Sequence, residues 1–433
     1  MSFNIYALLT PIALSLLIFE LIYSLVARKG HFTFQETIAN MGTAIGAQTM
    51  NLLVAALVFW GFGILHAEYS IMKIPNTWWS FILCFLLVDF LFYWFHRAGH
   101  RVNVLWAAHS PHHSAEEFNL AVGLRASITQ RLFSFSFFWP LALLGFDPKF
   151  MYMVIGTHLI MGYWHHTKVI GKMGWFEKWF NTPSHHRVHH GTNAQYIDKN
   201  YAEFLILWDK WFGTFEPEEE EVCYGVLDHP KTWNPLMISL HHFIVLGKLS
   251  WNAPHAWDKI KVWFMPPGWM PRGLGEGVEK KTGMTVEEQV RFKTDMFRGA
   301  KPYLITQLIL GLGFMVFVID GKSPLSGAEK AAFSGLIWMM IISWGGILES
   351  KRWAPFMEIG RLTAQVGALF WAFSKYDINI MALNYALPGI ALASAVYVLY
   401  FFRGTPVDRP GSERAEGSNP TEGSTGVRAP AAA

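Results

Sequence analysis

The chain has 433 residues, of which 52% are hydrophobic and 15% are charged, well below the roughly 25% charged residues of soluble domains. Because so apolar a soluble fold would have too little polar surface to stay dispersed, this composition excludes a cytosolic enzyme and a disordered scaffold. The net charge of +3 indicates no nucleic-acid partner, and Cys84 and Cys223 are too few for a disulfide framework or a cysteine-based metal centre. We therefore predict an all-α, polytopic helical membrane protein.

Apolar stretches along the chain predict the membrane helices, because a helix needs about 20 apolar residues to cross the hydrocarbon core. Two shorter stretches, 132–146 and 149–164, predict a helical hairpin that either spans with distortion or dips into the membrane and returns. The short apolar piece 362–374 is equally ambiguous. The stretches long enough to span are residues 5–27, 41–66, 78–96, 302–320, 331–348 and 379–402.

These elements divide the chain into five predicted parts. The Trp-rich stretch around Trp251 and Trp257 predicts either an amphipathic anchor in the membrane interface or packing against the cytosolic domain. The C-terminal tail is rich in Gly, Pro, Ser and Glu and is expected to be disordered. The parts are N-terminal transmembrane helices (1–77), a catalytic core with the membrane hairpin (78–220), a cytosolic or interfacial segment (221–300), C-terminal transmembrane helices (301–403) and the tail (404–433).

Lysine and arginine residues follow the predicted spans on one side of the membrane if the spans alternate. Arg28 follows the first span, Arg97 follows the third, and Lys351 follows one of the later spans. This bias predicts that the side is cytoplasmic, in a bacterial inner membrane or the endoplasmic reticulum. The histidine clusters lie on the same side, so we expect a cytosol-facing site at the membrane surface, where a lipid and a soluble reductant can meet.

Histidine is the outlier of the composition, since 12 of the 18 histidines lie between His96 and His190. Eight of these histidines form three clusters, and a spacing of three or four residues places the imidazoles of a cluster on one face of a helix, one turn apart. Pro111 predicts a helix start or a kink at the second cluster, and Ser184 is the expected N-cap of the third. The clusters are His96 and His100, then His109, His112 and His113, and finally His186, His189 and His190.

These histidines are too many for one metal ion, since a structural zinc takes four ligands and a catalytic zinc takes three and a water. Two metal ions, each with about four nitrogens and an open position, fit the number of histidines. Imidazole suits iron, zinc and copper alike, so the ligands alone do not choose the metal. Iron is favoured if the substrate is an unactivated lipid, because removal of a C–H hydrogen requires activated oxygen whereas zinc supports hydrolysis or polarisation.

Polar residues near the clusters are candidates for orienting the ligands or the substrate. Asp89 lies seven residues before His96 on the same helical face, inside an apolar span where a carboxylate is costly without a partner. A hydrogen bond to a ligand histidine would provide that partner, and a structural bond within the helix bundle is the alternative. Glu116, Glu117 and Asn119 follow the second cluster; they either orient a ligand, contact the substrate or lie on an exposed face.

The histidine pattern resembles that of the sterol desaturase / fatty-acid hydroxylase superfamily. The stretch from Asn181 to Gly191 and the stretch from Ile206 to Phe215 are similar to its alkylglycerol monooxygenase branch, and the resemblance covers roughly residues 40–270. The superfamily pattern also has a lone histidine between the second and third clusters, which His166 matches best. The resemblance therefore implies nine metal ligands, namely His96, His100, His109, His112, His113, His166, His186, His189 and His190. His158 is expected in the core, while ligation by His165 or His185 stays open.

The resemblance implies a non-haem di-iron monooxygenase with two Fe ions and O2 as co-substrate. In the alkylglycerol branch, tetrahydrobiopterin is the external reductant, and hydroxylation of the ether-bearing carbon of a glyceryl ether releases a fatty aldehyde and a glycerol derivative. Glu116 and Asn119 match polar positions of the branch. Lys168 and Ala202 depart from it, where an acidic residue and a glycine are usual, which leaves the substrate and the reductant open.

Alternative functions use the same histidines differently. A hydroxylase or desaturase of another lipid, such as a sterol, a carotenoid, an acyl chain or an aminolipid, needs the same ligands. A histidine-based metal transporter would hold its site near the membrane midplane, whereas these clusters lie at span ends and in cytosolic segments. A membrane zinc hydrolase would need no reductant. The sequence contains no flavin, NAD or haem fingerprint, so an oxygenase would take its electrons from an external donor.

Overall fold

The computed structural model describes residues 5–275, 282–378 and 381–402, and within these ranges the secondary structure is helical. Isolated β-bridges join Phe180 to Leu205 and Gly191 to Tyr224. The predicted all-α class is confirmed, and the predicted tail from residue 404 lies outside the described ranges. The helices are α1 (Ile5–Val26), α2 (Phe34–Tyr69), α3 (Trp78–Arg101), α4 (Asn103–His113), α5 (Leu120–Leu124), α6 (Gln130–Ser136), α7 (Trp139–Leu144), α8 (Pro148–Tyr163), α9 (Pro183–His189), α10 (Leu207–Phe212), α11 (Pro235–Asn252), α12 (Ala256–Phe264), α13 (Ala300–Ile319), α14 (Gly327–Leu348), α15 (Ala354–Lys375) and α16 (Met381–Phe401), with a 3-10 helix at Gly174–Lys178.

Among the described residues, four helices are long and apolar enough to cross a membrane, namely α2, α3, α13 and α14. They correspond to four of the predicted spans. The apolar pieces Pro11–Val26 of α1 and Tyr385–Phe401 of α16 are shorter. Large apolar side chains point outward from the long helices, such as Trp60 on α2 and Ile309 on α13, as expected where a helix contacts lipid rather than water. The chain is an integral membrane protein.

The predicted hairpin is helical, but its first arm is broken into α6 and α7, while α8 forms the second arm. Gly145 lies between the arms with a φ of 113°, and a Cβ there would lie 1.9 Å from the carbonyl oxygen of Met72, so this turn requires glycine. Asp147 then caps α8 by accepting hydrogen bonds from the backbone N–H groups of Lys149 and Phe150. The first arm therefore does not cross as one helix. The ambiguous piece 362–374 lies within α15.

Helix α2 packs against both α13 and α14 and also against α5 to α8, so it connects the N-terminal, core and C-terminal parts of the fold. Helix α3 packs against α4 and α8. The apolar residues between α2, α3 and the hairpin form one buried cluster that includes Phe92 and Phe146. A second cluster around Trp344 joins α2 to the C-terminal helices. The domain boundaries stay a prediction.

The tryptophans of the Trp-rich segment lie in two different environments, and each agrees with one of the two predicted alternatives. Trp251 and Trp257 are exposed, as a membrane-interface anchor requires. Trp263 and Trp269 instead pack against a buried cluster of α4, α11 and α12 that includes Leu246. The segment therefore presents one aromatic surface outward and holds the other against the helix that carries the second histidine motif.

Candidate metal centre

The histidine motifs lie at helix ends that the fold brings together. His96 and His100 occupy the last turns of α3, and α4 begins at Asn103. Pro111 therefore lies inside α4, which excludes the helix start and leaves the kink of the two predicted alternatives. Helix α9 begins at Pro183 with Thr182 as its N-cap, in place of the predicted Ser184. A proline suits this first helical position because its missing N–H would have no partner there.

The structure brings all nine predicted ligands into two buried groups, and within each group the candidate ligand atoms lie within 4.8 Å of one another. In each HxxHH motif the first and last histidines share a group, and the middle histidine joins the other group. Helical spacing explains the sharing, since residues four apart lie on one face. The first group is His96, His100, His109, His113 and His189, and the second is His112, His166, His186 and His190.

Backbone carbonyl groups fix the tautomers of several of these histidines. A carbonyl oxygen can only accept, so a ring nitrogen that binds it must carry the proton, and the other nitrogen keeps a lone pair for a metal. The Nδ1–H groups donate from His96 to Tyr201 at 2.7 Å, from His112 to Arg125 at 2.9 Å and from His189 to Lys199 at 3.0 Å.

The contact between His112 and His166 tests whether the site fits a metal ion. Their Nε2 atoms lie 3.2 Å apart, although the Nδ1 atom of each ring faces a carbonyl oxygen, that of Arg125 or Tyr163. Two lone pairs therefore face each other, which is unfavourable without a cation between them. Metal–nitrogen bonds of about 2.1 Å place neighbouring ligand nitrogens roughly 3 Å apart. This donor set fits a metal ion.

Burial keeps the imidazoles outside the membrane helices neutral. The pKa values of His109, His113, His166, His186, His189 and His190 lie well below the usual value, first because burial disfavours the charged ring and then because neighbouring histidines repel a second charge. Burial also lowers the pKa of His112 to about 4. Neutral imidazole is the form that binds metal, so the groups are ready to coordinate an ion at ordinary pH.

Asp89 has a different partner from the ligand histidine that we predicted. Its Oδ1 lies 2.7 Å from Nε2 of His158 on α8 and accepts from the backbone N–H of Phe204. Its Oδ2 accepts from the backbone N–H of Leu205 and from the indole N–H of Trp208. Asp89 therefore joins α3 and α8 to the loop before α10, which is the structural alternative. His158 is the expected core residue.

Glu116 and Asn119 bind backbone groups rather than the histidine groups. A carboxylate oxygen of Glu116 accepts from the backbone N–H of Phe292 at 2.8 Å. The Asn119 amide caps α5 and donates to the carbonyl oxygen of His31 at 2.7 Å. Both residues are buried, so the exposed-face alternative is wrong for them. His165 and His185 are also buried but belong to neither histidine group.

Sequence reasoning missed three buried residues that support the loops of the site. Arg125 donates to the carbonyl oxygen of Pro111 at 2.6 Å and so satisfies the C-terminal end of α4. Glu20 of α1 accepts from the backbone N–H of Leu120, and Glu36 of α2 accepts from that of Glu116. For the two glutamates the available signal was an acidic residue within or next to an apolar span, which indicates a polar partner inside the protein.

A partly open cavity lies beside both groups. Phe92, Phe95 and Leu159 form an apolar part of its wall, while Glu203 and Arg131 add charged groups. Its histidines come from both groups and are His96, His109, His112, His166 and His186. A ligand in this cavity would touch apolar side chains and both candidate metal positions.

Comparisons with known proteins find relatives whose names are those of lipid-modifying enzymes. The family model for fatty acid hydroxylase matches residues 81–214. The chain is 36% identical to alkylglycerol monooxygenase of Homo sapiens, over 81% of this chain and 79% of that protein. It is 33% identical to the Xenopus tropicalis protein of that name, over 84% of this chain and 80% of that protein. It is 30% identical to the Danio rerio protein of that name, over 90% of this chain and 87% of that protein. No solved structure matches the chain.

Proposed function

Because the chain belongs to the alkylglycerol monooxygenase family, we propose that it is a non-haem di-iron monooxygenase that hydroxylates the ether-bearing carbon of an alkylglycerol. One atom of O2 enters the C–H bond, and the other leaves as water with two protons and two electrons from an external reductant. The hydroxylated carbon is a hemiacetal, which separates into a fatty aldehyde and a glycerol. Tetrahydrobiopterin is the proposed reductant.

The observation that carries this proposal is the pair of buried imidazole groups beside a partly apolar cavity. Five and four neutral nitrogen ligands suit two ions, and redox-active iron would supply the oxygen activation that an unactivated C–H bond requires. Backbone groups of the chain hold the imidazoles in this arrangement. The carbonyl oxygens of Tyr201, Arg125 and Lys199 fix the ring orientations.

An apolar side chain covers one side of the second group and keeps water from that side. Phe118 is fully buried and stacks on His166, with a ring-centroid distance of 5.7 Å, and it packs edge-on against His190. Water exclusion matters because it strengthens the electrostatic interactions inside the site and limits side reactions. The apolar wall of the cavity then positions an alkyl chain so that its ether carbon lies next to the ligand groups.

We also propose that the site faces the cytoplasm. The basic residues after the spans support this orientation, and a cytoplasmic face would give a soluble pterin and a membrane lipid access to one site.

Elemental analysis and a product assay on the detergent-purified protein test the proposal. We expect about two irons per chain, together with tetrahydropterin-dependent release of fatty aldehyde from an alkylglycerol. His189→Ala should abolish the aldehyde and lower the iron content. Bound iron without aldehyde would contradict the alkylglycerol substrate and indicate another lipid. Less than one tightly bound metal ion after anaerobic reconstitution would contradict the di-iron site.

A further inference from the structure

We infer that Glu203 selects the substrate of this site by hydrogen bonding to a free hydroxyl group close to the carbon that reacts. This inference rests on the proposed function and deepens it. It assigns a headgroup with a free hydroxyl to the cavity, in preference to a fully etherified one.

Glu203 is a buried carboxylate without a partner. The residue is 7% exposed, and within the described part of the chain its side chain makes no hydrogen bond or ion pair. Arg131 and His158 act on it only through longer-range charge. Burying a polar group in this way is costly unless something hydrogen-bonds to it. The carboxylate lines the cavity, where a ligand can reach it.

The backbone on both sides of Glu203 is fixed, so the side chain is held inside the protein. The Asn181 amide donates to the carbonyl oxygen of Ala202 at 2.7 Å. The next residue, Phe204, donates its backbone N–H to Asp89 and accepts from the backbone N–H of Asn181. These bonds anchor the loop to α3 and to Asn181, two residues before α9.

Helix α8 leaves room for the carboxylate by having glycine at position 162. A Cβ on Gly162 would lie 1.4 Å from Oε1 of Glu203, so the carboxylate can keep this position only because residue 162 has no side chain. Glycine costs about 1 kcal/mol relative to alanine in a helix. The missing side chain at residue 162 therefore provides the space that the Glu203 carboxylate occupies.

The same cavity contains histidines of both groups, which limits the distance between the carboxylate and the reacting carbon. A ligand of a few bonds' length can bind Glu203 and place a C–H bond beside the histidines. A glycerol ether meets this requirement because only the ether oxygen and two or three glycerol carbons separate its free hydroxyls from the carbon that reacts. A hydroxyl can donate to a carboxylate or accept from a carboxylic acid, whereas a methylated hydroxyl has no hydrogen to donate.

A pair of matched lipids tests this inference. One is a 1-O-alkylglycerol, and the other is the same ether with both hydroxyls methylated. We expect the wild-type protein to prefer the diol by about 10- to 100-fold in kcat/KM, since hydrogen bonds to a charged group have this effect. Glu203→Leu should remove the preference by lowering kcat/KM for the diol alone. Glu203→Gln keeps a hydrogen-bonding group and should retain part of it.

Binding of the radiolabelled diol to metal-free protein gives a readout that does not require turnover. Glu203→Leu should raise the Kd by a similar factor, while the control Glu68→Gln, an exposed glutamate at the end of α2, should leave it unchanged. Equal losses for both lipids, or unchanged binding and selectivity, would overturn the role of Glu203. Absence of aldehyde from either lipid with selective binding intact would contradict the proposed function and leave the role of Glu203 supported.

Discussion

Asp89 of α3 and His158 of α8 pair through a 2.7 Å contact although 69 residues separate them in the chain. Both side chains are fully buried. The same carboxylate binds two backbone N–H groups and the indole of Trp208. One acidic side chain thus fixes two helices and the loop that carries Glu203.

Asp89→Ala should destabilise the fold by about 3–5 kcal/mol, because removal of one partner leaves several buried donors without an acceptor. Thermal unfolding in detergent measures this change. Asp320→Asn, in the exposed turn after α13, should have no comparable effect. If Asp89→Ala kept its melting temperature but lost metal, Asp89 would act on the metal centre, as the sequence-based alternative holds.

Because the histidines form two separate groups, we predict that substitution of a ligand in one group removes one metal ion and leaves the other bound. The ring contacts of His100 with other histidines are all within the first group, and those of His166 are all within the second. His100→Ala and His166→Ala should each leave about one metal ion per chain, and the double variant should leave almost none. Elemental analysis measures the content.

His165→Ala is the matched control for His166→Ala, because His165 is adjacent and buried but belongs to neither group. It should retain both metal ions. Loss of metal in His165→Ala with retention in His166→Ala would show that the neighbouring histidine is the ligand.

Gly162→Ala should destabilise the protein by about 1–3 kcal/mol, since the new methyl group would overlap the Glu203 carboxylate and force it to move. Glu203→Ala in the same chain should restore most of the lost stability by removing the overlap. Thermal unfolding of the four members of this double-mutant cycle tests the coupling. Additive effects would mean that Gly162 and Glu203 do not share this space.

Glu203→Gln should stabilise the metal-free protein at alkaline pH. Burial raises the pKa of Glu203 from 4.5 to about 7, so the folded state binds a proton more tightly than the unfolded state. Below pH 4.5 both states are protonated and the carboxyl costs nothing. As pH rises to 7 the free energy of unfolding falls by roughly 3 kcal/mol.

Glutamine carries no charge, so the advantage of Glu203→Gln should be small at pH 4.5 and reach its full size above pH 7. Melting temperatures of both proteins at pH 5 and pH 8 measure it. A constant advantage across this range would contradict the raised pKa. A carboxylate that lowers stability at neutral pH is expected where a ligand needs it.

Sequence reasoning predicted the ligands of the candidate site better than the residues around them. Eight of the nine histidines were predictable because their spacings are local features, whereas His166 stands outside the clusters and was predicted from the family resemblance. The partners of Glu116 and Asn119 were not, because they are backbone groups of Phe292 and His31, far away in the chain. Glu203 lies in none of the motifs. The available signal for its role was its position as an acidic residue inside an apolar stretch.

The sequence by itself determined three pairs of histidines that would each lie on one face of a helix. The pairs are His96 and His100, His109 and His113, and His186 and His190. Backbone hydrogen bonding gives a helix its period of 3.6 residues, so residues four apart share a face in any fold. Only the tertiary structure decided that His189 joins the first group and His112 the second. That assignment depends on how α3, α4, α8 and α9 pack, and packing is a property of segments tens of residues apart that no local spacing contains.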